Sequence, residues 1–443
     1  MRVILIVNCK LSNSNYHIDL ITLGCSKNLV DSERLIRQLE AAGYNVTHDS
    51  DKPDGQIAII NTCGFIGDAK EESINTILQF AERKQQGKLK KLFVMGCLSE
   101  RYLKELQNEI SEVDKFYGKF DYMNLLNDLG KNYRSDISIE RTLTTPKHYA
   151  YVKISEGCNR FCSYCAIPLI TGRHTSRPVE DILNEVRWLT KQGVREFQII
   201  AQDLSSYGTD LYHRQQLPEL IERISDMKGV DWIRLHYAYP AQFPDGILKV
   251  MRERDNVCKY LDIALQHISD NMLKLMRRHI TKQQTTDLIN KIRSEVPNIC
   301  LRTTMMVGHP GETTDDFEEL KQFVQETRFD RLGTFAYSDE EGTYANLHYK
   351  DDIPTEEKLR RVDGIMTIQE GIAQQLNEKM IGKRYKVIID RTEDDYYIGR
   401  TEFDSPEVDQ EVLIEKAGNN LDIGQFYNVT VTNAEQFDIF ATL

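Results

Sequence analysis

This chain of 443 residues is short of positive charge, of long apolar runs and, at its most informative stretch, of a fourth cysteine. Fifty-six lysines and arginines face 68 acids, and the net charge of −12 argues against a partner that needs a basic groove, as nucleic acids do. The first apolar run, Met1 to Val7, contains an arginine and is too brief for a signal peptide or a membrane span. Nine cysteines are an odd count, so the expectation is a cytoplasmic protein, without a membrane, whose reduced thiols are free for metal. In the run GCNRFCSYC, Cys158, Cys162 and Cys165 supply three thiolates and no fourth. Four would close a structural zinc or a simple iron–sulfur site; three leave a metal position open for something that reacts. The spacing alone also admits a zinc site completed by His174 or another residue.

What is present is enough for about three domains at roughly 150 residues each, with 40% hydrophobic residues for their cores. To about residue 135 the chain alternates short apolar runs with amphipathic stretches, as βα units around a parallel sheet do. IDLITLGC reads as a strand, and DSERLIRQLEAAGY as a helix capped by Asp31 or Ser32, with Leu35, Ile36 and Leu39 on one face and Gly43 as its stop. QIAIINTCG and KLFVMGC repeat the strand pattern. Each run ends in a cysteine beside a glycine: Gly24-Cys25, Cys63-Gly64 and Gly96-Cys97, separated by about one strand–helix–strand unit. The three thiols are therefore expected at the carboxyl ends of neighbouring parallel strands, where α/β sheets build ligand sites. Any one alone could be a buried small hydrophobe; three in the same context point to a second cluster site.

SDISIERTLTTPKH reads as a linker. Beyond it lie six strand candidates, beginning near Ala150, Glu196, Asp231, Tyr260, Ile299 and Arg331, with helical stretches such as VEDILNEVRWLTKQ between them. Six parallel strands with crossover helices predict an open or partial α/β barrel with its function at the carboxyl ends. After a long helix carrying Leu359, Val362 and Met366, the chain switches to short runs: YKVIID, YYIGRTE, QEVLIE and YNVTVTN. They predict a small antiparallel β-barrel of the OB type. From Ile381 onward six basic residues face 13 acidic ones. Such a barrel should repel nucleic acid and attract a basic protein.

The C-x3-C-x2-C loop after a first strand resembles that of the radical S-adenosylmethionine enzymes, and LGCSKNLVDSE, NTCGFI, MGC, GRHTSRP and VGHPGET together resemble their methylthiotransferase family. The resemblance runs from about Ile18 to the end. It implies an amino-terminal cluster domain over 17–135, a linker over 136–149, a radical core with a partial (β/α)6 barrel over 150–375 and a TRAM domain over 376–443. By the same resemblance Cys158, Cys162 and Cys165 hold a 4Fe–4S cluster whose open iron is chelated by S-adenosyl-L-methionine, the source of a 5′-deoxyadenosyl radical. Cys25, Cys63 and Cys97 hold a second 4Fe–4S cluster that presents sulfur, and a second S-adenosyl-L-methionine supplies the methyl group. Tyr164, Gln202, Arg302, Gly308 and Gly311 are the implied cofactor-binding residues, although Arg302 could equally serve a salt bridge and Tyr164 packing. His309 stands where relatives often have an aromatic residue. Cys9 lies in Met1 to Tyr16, beyond the resemblance, and with Cys258 and Cys300 is read as structural or incidental.

Two branches of that family differ in substrate: an isopentenylated adenine of transfer RNA, or the β-carbon of one aspartate in small-subunit ribosomal protein S-twelve. IIAQDLSSYG, RLHYAYP and FDSPEVDQEV resemble the ribosomal-protein branch. The acidic barrel agrees, because ribosomal proteins are basic, and Asp404, Glu407 and Asp409 become candidates for docking the substrate protein. An electron donor such as flavodoxin or ferredoxin and a sulfur source are the other implied partners, and a monomer suffices. A non-catalytic iron–sulfur carrier is the rival from another class; it would ordinarily use four protein ligands per cluster.

Overall fold

Ile57 and Ile59 face one hydrophobic cluster while Ala58 and Ile60 face another, so the central strand of the first sheet is buried on both sides. The structure, a computed structural model, describes residues 16–443; Cys9 lies outside the described residues. The chain divides into two compact units at Thr144/Thr145. In the first, β1 (His17–Thr22), β2 (Asn45–His48), β3 (Ile57–Thr62), β4 (Lys91–Gly96) and β5 (Lys115–Phe116) form one parallel sheet in the order β2-β1-β3-β4-β5. Helices α1 (Ser26–Ala41) and α2 (Gly67–Gln85) cover its two faces through Leu35, Ile36 and Leu39 and through Ile77 and Phe80.

The helix expected from Asp31 or Ser32 starts at Ser26 instead, with Cys25 in the capping position. The two residues expected to cap it are buried inside it. Ser32 Oγ accepts from Thr22 Oγ1 at 2.6 Å and from Asn61 Nδ2 at 2.9 Å, and Asp31 faces Lys119 at 3.9 Å. A cap competes with the helix only when its side chain is free to turn back on the backbone; here tertiary partners hold both. The stop at Gly43 is as expected, at φ +90°. The stretch 136–149 is largely packed: Arg141 pairs with buried Glu33 at 3.3 Å and Thr144 N donates to Glu33 Oε1 at 2.9 Å.

In the second unit β6 (Tyr149–Lys153) is followed by a two-stranded ribbon, β7 (Ser155–Glu156) with β8 (Thr175–Ser176). Then come β9 (Glu196–Ile200), β10 (Trp232–Ala238), β11 (Val257–Ile263), β12 (Cys300–Val307) and β13 (Arg331–Ala336). With β6 they make a six-stranded, all-parallel sheet in sequence order, an open partial barrel whose carboxyl ends share one rim. The long helix Thr355–Glu378 buries Ile365, Ile372 and Ala373 and leaves Leu359 exposed.

The last five strands, β14 (Arg384–Glu393), β15 (Tyr396–Thr401), β16 (Glu411–Glu415), β17 (Phe426–Ala434) and β18 (Asp438–Thr442), close into a barrel in the order β14-β15-β16-β18-β17. The sequence reading lacked β18 and expected antiparallel pairing throughout; β16 and β18 run parallel, and that pair closes the barrel. This barrel packs beneath the amino ends of the central sheet. Trp232 meets Phe426 at 4.8 Å between centroids, Arg400 bonds Glu196 at 2.7 Å, and Arg234 donates to the Thr401 and Glu402 carbonyls. Cys258 and Cys300 are buried in the same contact.

Candidate active site

Cys25, Cys63 and Cys97 follow β1, β3 and β4, three adjacent parallel strands, and so lie along one carboxyl edge. Glycine lets them converge. At Gly24, φ is +94° and a Cβ would stand 2.7 Å from Cys63 Cβ and 2.8 Å from its Sγ. At Gly64 a Cβ would meet Leu98 Cα at 2.7 Å. Buried Asn28 ties the edge together: Nδ2 donates to Leu23 O at 2.9 Å and Thr62 O at 3.0 Å, and Oδ1 faces Cys97 Sγ at 3.5 Å. Ser73 Oγ bridges the Cys63 backbone, accepting from its N–H and donating to its carbonyl, each at 3.0 Å.

Burial pushes the Cys97 thiol up to about 12 and raises Cys63 as well. At Cys25 the protein crowding the sulfur also works against the thiolate, but Lys27, the Asn28 backbone N–H and Lys119 outweigh it and bring the thiol below its ordinary value. Cys63 and Cys97, raised in this way, hold their protons until a cation displaces them.

The second set is local. Cys158, Cys162 and Cys165 lie in the loop after β6 and β7, before the short helix Ile167–Thr171 with Pro168 in its first turn. Gly157, at φ +74°, lets the loop pass against the Gly172 and Arg173 carbonyls, and Cys158 N donates to Gly172 O at 3.2 Å. Cys165 N donates to Cys162 O at 3.1 Å, and Arg160 N donates to Cys158 Sγ at 3.4 Å. Burial pushes Cys158 up to about 12 and raises Cys165 further.

A single tetrahedral ion needs its sulfurs about 3.8 Å apart, from Zn–S bonds of about 2.3 Å. Among the described residues, three ligand atoms of His, Cys, Asp or Glu come within 4.8 Å of one another at His17, Asp19 and Asp54, not at either cysteine set. His17 is satisfied there as an ordinary polar residue, by Asp54 at 2.9 Å and Thr47 at 2.6 Å. The wider cysteine sets suit a larger inorganic core. His174, considered above as a zinc ligand, bonds Ser176 Oγ at 3.0 Å and lies 3.7 Å from Asp210.

Around the second set the carboxyl rim gathers four of the five residues expected to bind cofactor. Tyr164 lies within the loop, between Cys162 and Cys165, and Gln202, just beyond β9, donates to Glu156 at 2.7 Å with its Oε1 buried and unbonded. Gly308 and Gly311, at φ +76° and +85°, form the turn directly after β12. Glu312 fixes that turn: it accepts from Gly308 N and from Arg361 at 2.7 Å, and contacts His267 at 3.1 Å. Arg302 is not on the rim. It is the third residue of β12, roughly 16 Å from the strand's end at about 3.3 Å per residue, and faces Asp409 at 3.5 Å.

His309 is fully buried. Its Nε2 accepts from Ser163 Oγ at 3.0 Å and its Nδ1 donates to Pro310 O at 2.9 Å. Burial pushes its imidazole down to about 4, so it is neutral at pH 7. It fastens the glycine turn to the cysteine loop instead of presenting a face for stacking.

Sequence reasoning missed Arg278. Its Nη1 donates to Cys162 Sγ at 3.3 Å and Tyr164 OH at 3.2 Å, and its Nη2 to Ala264 O. Nothing in MRRHI marks the second arginine from the first. Asn28 was within reach, since LGCSKN contains it.

The docking expectation for Asp404 and Asp409 is corrected. Asp404 is fully buried, bonded to Arg331 at 2.6 Å and to Thr401 Oγ1 at 2.5 Å; Asp409 accepts from Tyr260 OH at 2.8 Å and Ser405 N at 2.9 Å. These carboxylates seal the barrel against the amino ends of the sheet, as Asp390 does, held down to about 2 against its burial by Arg400 and His148. Glu407 is exposed and accepts from Tyr149 OH at 2.9 Å.

Family models match in three places: the Radical SAM superfamily over residues 152–324, the Uncharacterized protein family UPF0004 over 17–118, and the TRAM domain over 381–443. A protein of Bacteroides thetaiotaomicron named ribosomal protein uS12 methylthiotransferase RimO is 69% identical over 426 residues, covering 96% of this chain and 98% of its own. Proteins of the same name from Parabacteroides distasonis and Cytophaga hutchinsonii are 62% and 50% identical, covering 96% and 97% of this chain and 98% of each relative. Among solved structures, the radical S-adenosylmethionine methyltransferase TsrM of Kitasatospora setae with cobalamin and a 4Fe–4S cluster bound superposes with a TM-score of 0.54 at 12% identity, covering 87% of this chain and 81% of that one. That likeness concerns the fold.

Proposed function

The chain belongs to the ribosomal protein uS12 methylthiotransferases of the radical S-adenosylmethionine superfamily, and from that membership we propose how its residues divide the reaction. The protein methylthiolates the β-carbon of an aspartate of uS12, the S-twelve protein of the small subunit, using 4Fe–4S clusters and S-adenosyl-L-methionine. The radical core spans 150–375, the second cluster domain 17–135, and the TRAM barrel 376–443.

Cys158, Cys162 and Cys165 hold the cluster that, when bound with S-adenosyl-L-methionine, supplies a hydrogen-abstracting radical. Cys25, Cys63 and Cys97 hold the sulfur-presenting one. Tyr164, Gln202, Gly308 and Gly311 line the cofactor's place on the rim: the glycine turn brings backbone close, and the unbonded Gln202 Oε1 offers an acceptor. Glu312 and His309 hold that turn against the loop. Arg302 serves the barrel seal. Of the acids on the last barrel, exposed Glu407 stays a candidate for meeting the basic substrate. An electron donor of the flavodoxin or ferredoxin type and a sulfur source complete the cycle, and the protein works in the cytoplasm as a monomer.

The observation that carries this reading is the pair of three-thiol sites, each at the carboxyl ends of parallel strands and each one ligand short of a closed site. The test is mass spectrometry of uS12 from cells with the gene intact and deleted, alongside nucleoside analysis of transfer RNA. A methylthio group lost from one uS12 aspartate, with nucleosides unchanged, is the expected result; loss of a methylthio-adenosine instead assigns the transfer-RNA substrate.

A further inference from the structure

A buried guanidinium needs an anion, and Arg278 has none among its bonded partners. It is 3% exposed, and its donors reach a cysteine sulfur, a phenol and a carbonyl. The backbone holds it in place: Arg278 N donates to Leu273 O at 2.9 Å, and its neighbours Arg277 and His279 both have positive φ, +56° and +55°. Tyr239 adds a second restraint, its OH donating to Arg278 O at 2.7 Å and its ring centroid lying 4.2 Å from the guanidinium. The Leu273 carbonyl and Tyr239, through its hydroxyl and its ring, thus fix a permanent cation on one sulfur of one cysteine set.

We propose that Arg278 is a positioning residue that raises the reduction potential of the radical cluster by donating a charge-assisted hydrogen bond to the Cys162 sulfur. This rests on the reading of Cys158, Cys162 and Cys165 as that cluster's ligands. Reduction adds one negative charge to a core held by three thiolates. A fixed cation beside a ligand sulfur therefore stabilises the reduced form more than the oxidised one, the more so in a low-dielectric surrounding. The guanidinium stays charged at every working pH, so the effect is constant. The phenol of Tyr164 shares the same nitrogen, which couples the rim residue to the sulfur.

The experiment is a potentiometric titration followed by electron paramagnetic resonance on the full chain. Cys25, Cys63 and Cys97 are replaced by alanine, so that the signal comes from the loop alone. Four versions are compared: native loop, Arg278→Gln, Arg278→Lys and Arg277→Gln. The midpoint should move negative in Arg278→Gln, less so in Arg278→Lys, and stay in place in Arg277→Gln, which removes the same charge one residue away. An unchanged midpoint in an iron-replete Arg278→Gln protein, or an equal shift in Arg277→Gln, overturns the proposal. Should Arg278→Gln fail to hold iron, Arg278→Lys decides, and a native midpoint there overturns it. A native loop that takes up no iron would instead refute the functional reading.

Discussion

The two cysteine sets solve one problem in opposite ways. The amino-terminal set is assembled across three strand ends from residues up to 72 positions apart, and the radical loop packs its three into eight. In the first, Gly24 lets its backbone lie against the Cys63 side chain, Gly64 lies against the Cys97–Leu98 backbone, and Asn28 bonds across the strand ends. In the second the chain supplies the spacing, and other elements lock the loop from outside through Ser163 to His309 and Cys162 to Arg278. Their electrostatics differ as well. Burial raises two thiols in each set, Cys63 and Cys97 in one and Cys158 and Cys165 in the other. The third differs, since Cys25 is drawn below its ordinary value against its burial by Lys27, the Asn28 backbone N–H and Lys119, whereas Cys162 meets a directed donor. A dispersed site depends on the fold being correct; a local one depends on what braces it.

The sharpest division comes from removing one ligand of each. Cys162→Ala should abolish both 5′-deoxyadenosine formation and methylthiolated product, whereas Cys97→Ala should abolish product and leave S-adenosyl-L-methionine cleavage. In each, iron should fall from about eight to about four atoms per chain. If Cys97→Ala also stopped cleavage, the two sets would not be independent.

The next largest effect separates assembled from local geometry. Gly24→Ala forces a Cβ to 2.7 Å from Cys63 at φ +94°, a conformation costing roughly 1–2 kcal/mol before the clash. Gly172→Ala, at φ +72° with nothing within 4 Å, meets the conformational cost alone. Iron analysis and thiol labelling should find the amino-terminal cluster lost in the first and both clusters kept in the second. Equal retention would mean that the dispersed set tolerates slack.

The same contrast decides what the sequence could disclose. Local spacing made the radical loop legible, and regular strand–helix alternation made the amino-terminal edge legible once three Gly/Cys pairs fell on it. The six central strands, hydrophobic through most of their length, lie where their apolar runs place them. The braces were not legible. Arg278, 113 residues past Cys165, and His309, further still, carry no local signature of their partners. Charge misled in the same way: FDSPEVDQEV reads as an acidic face, but Asp404 and Asp409 find Arg331 and Tyr260 on other strands. The early start of α1 has the same origin, since Asp31 and Ser32 are taken by distant residues.

Smaller effects test the braces themselves. Asn28→Ala strips two carbonyls of their donor in a buried site and should cost about 1–3 kcal/mol in denaturant unfolding. Ser163→Ala removes one neutral hydrogen bond to His309 and should cost about 0.5–1.5 kcal/mol. A reversed order would make the loop's outside brace the stronger one.

The smallest expected effect is a dependence on pH, because the two braces differ in one respect that acid exposes: Asn28 does not titrate and His309 does. Burial pushes His309 down to about 4, against about 6.5 when the chain is unfolded. Between those values the unfolded chain binds a proton that the folded one refuses, so stability is fully present above pH 6.5 and declines as pH falls toward 4. The loss is about 1.4 kcal/mol for each pH unit well inside that window, and less near its edges. Unfolding of the native chain and of His309→Phe at pH 7.5 and 5.5 should therefore show about 1 kcal/mol more loss in the native chain. A Phe at this position fills the site among Tyr164, Tyr337 and Tyr349, whose ring centroids lie 5.1–6.4 Å from that of His309, without a proton to refuse. Parallel losses would mean that the loop, like the strand edge, is braced by groups that do not titrate.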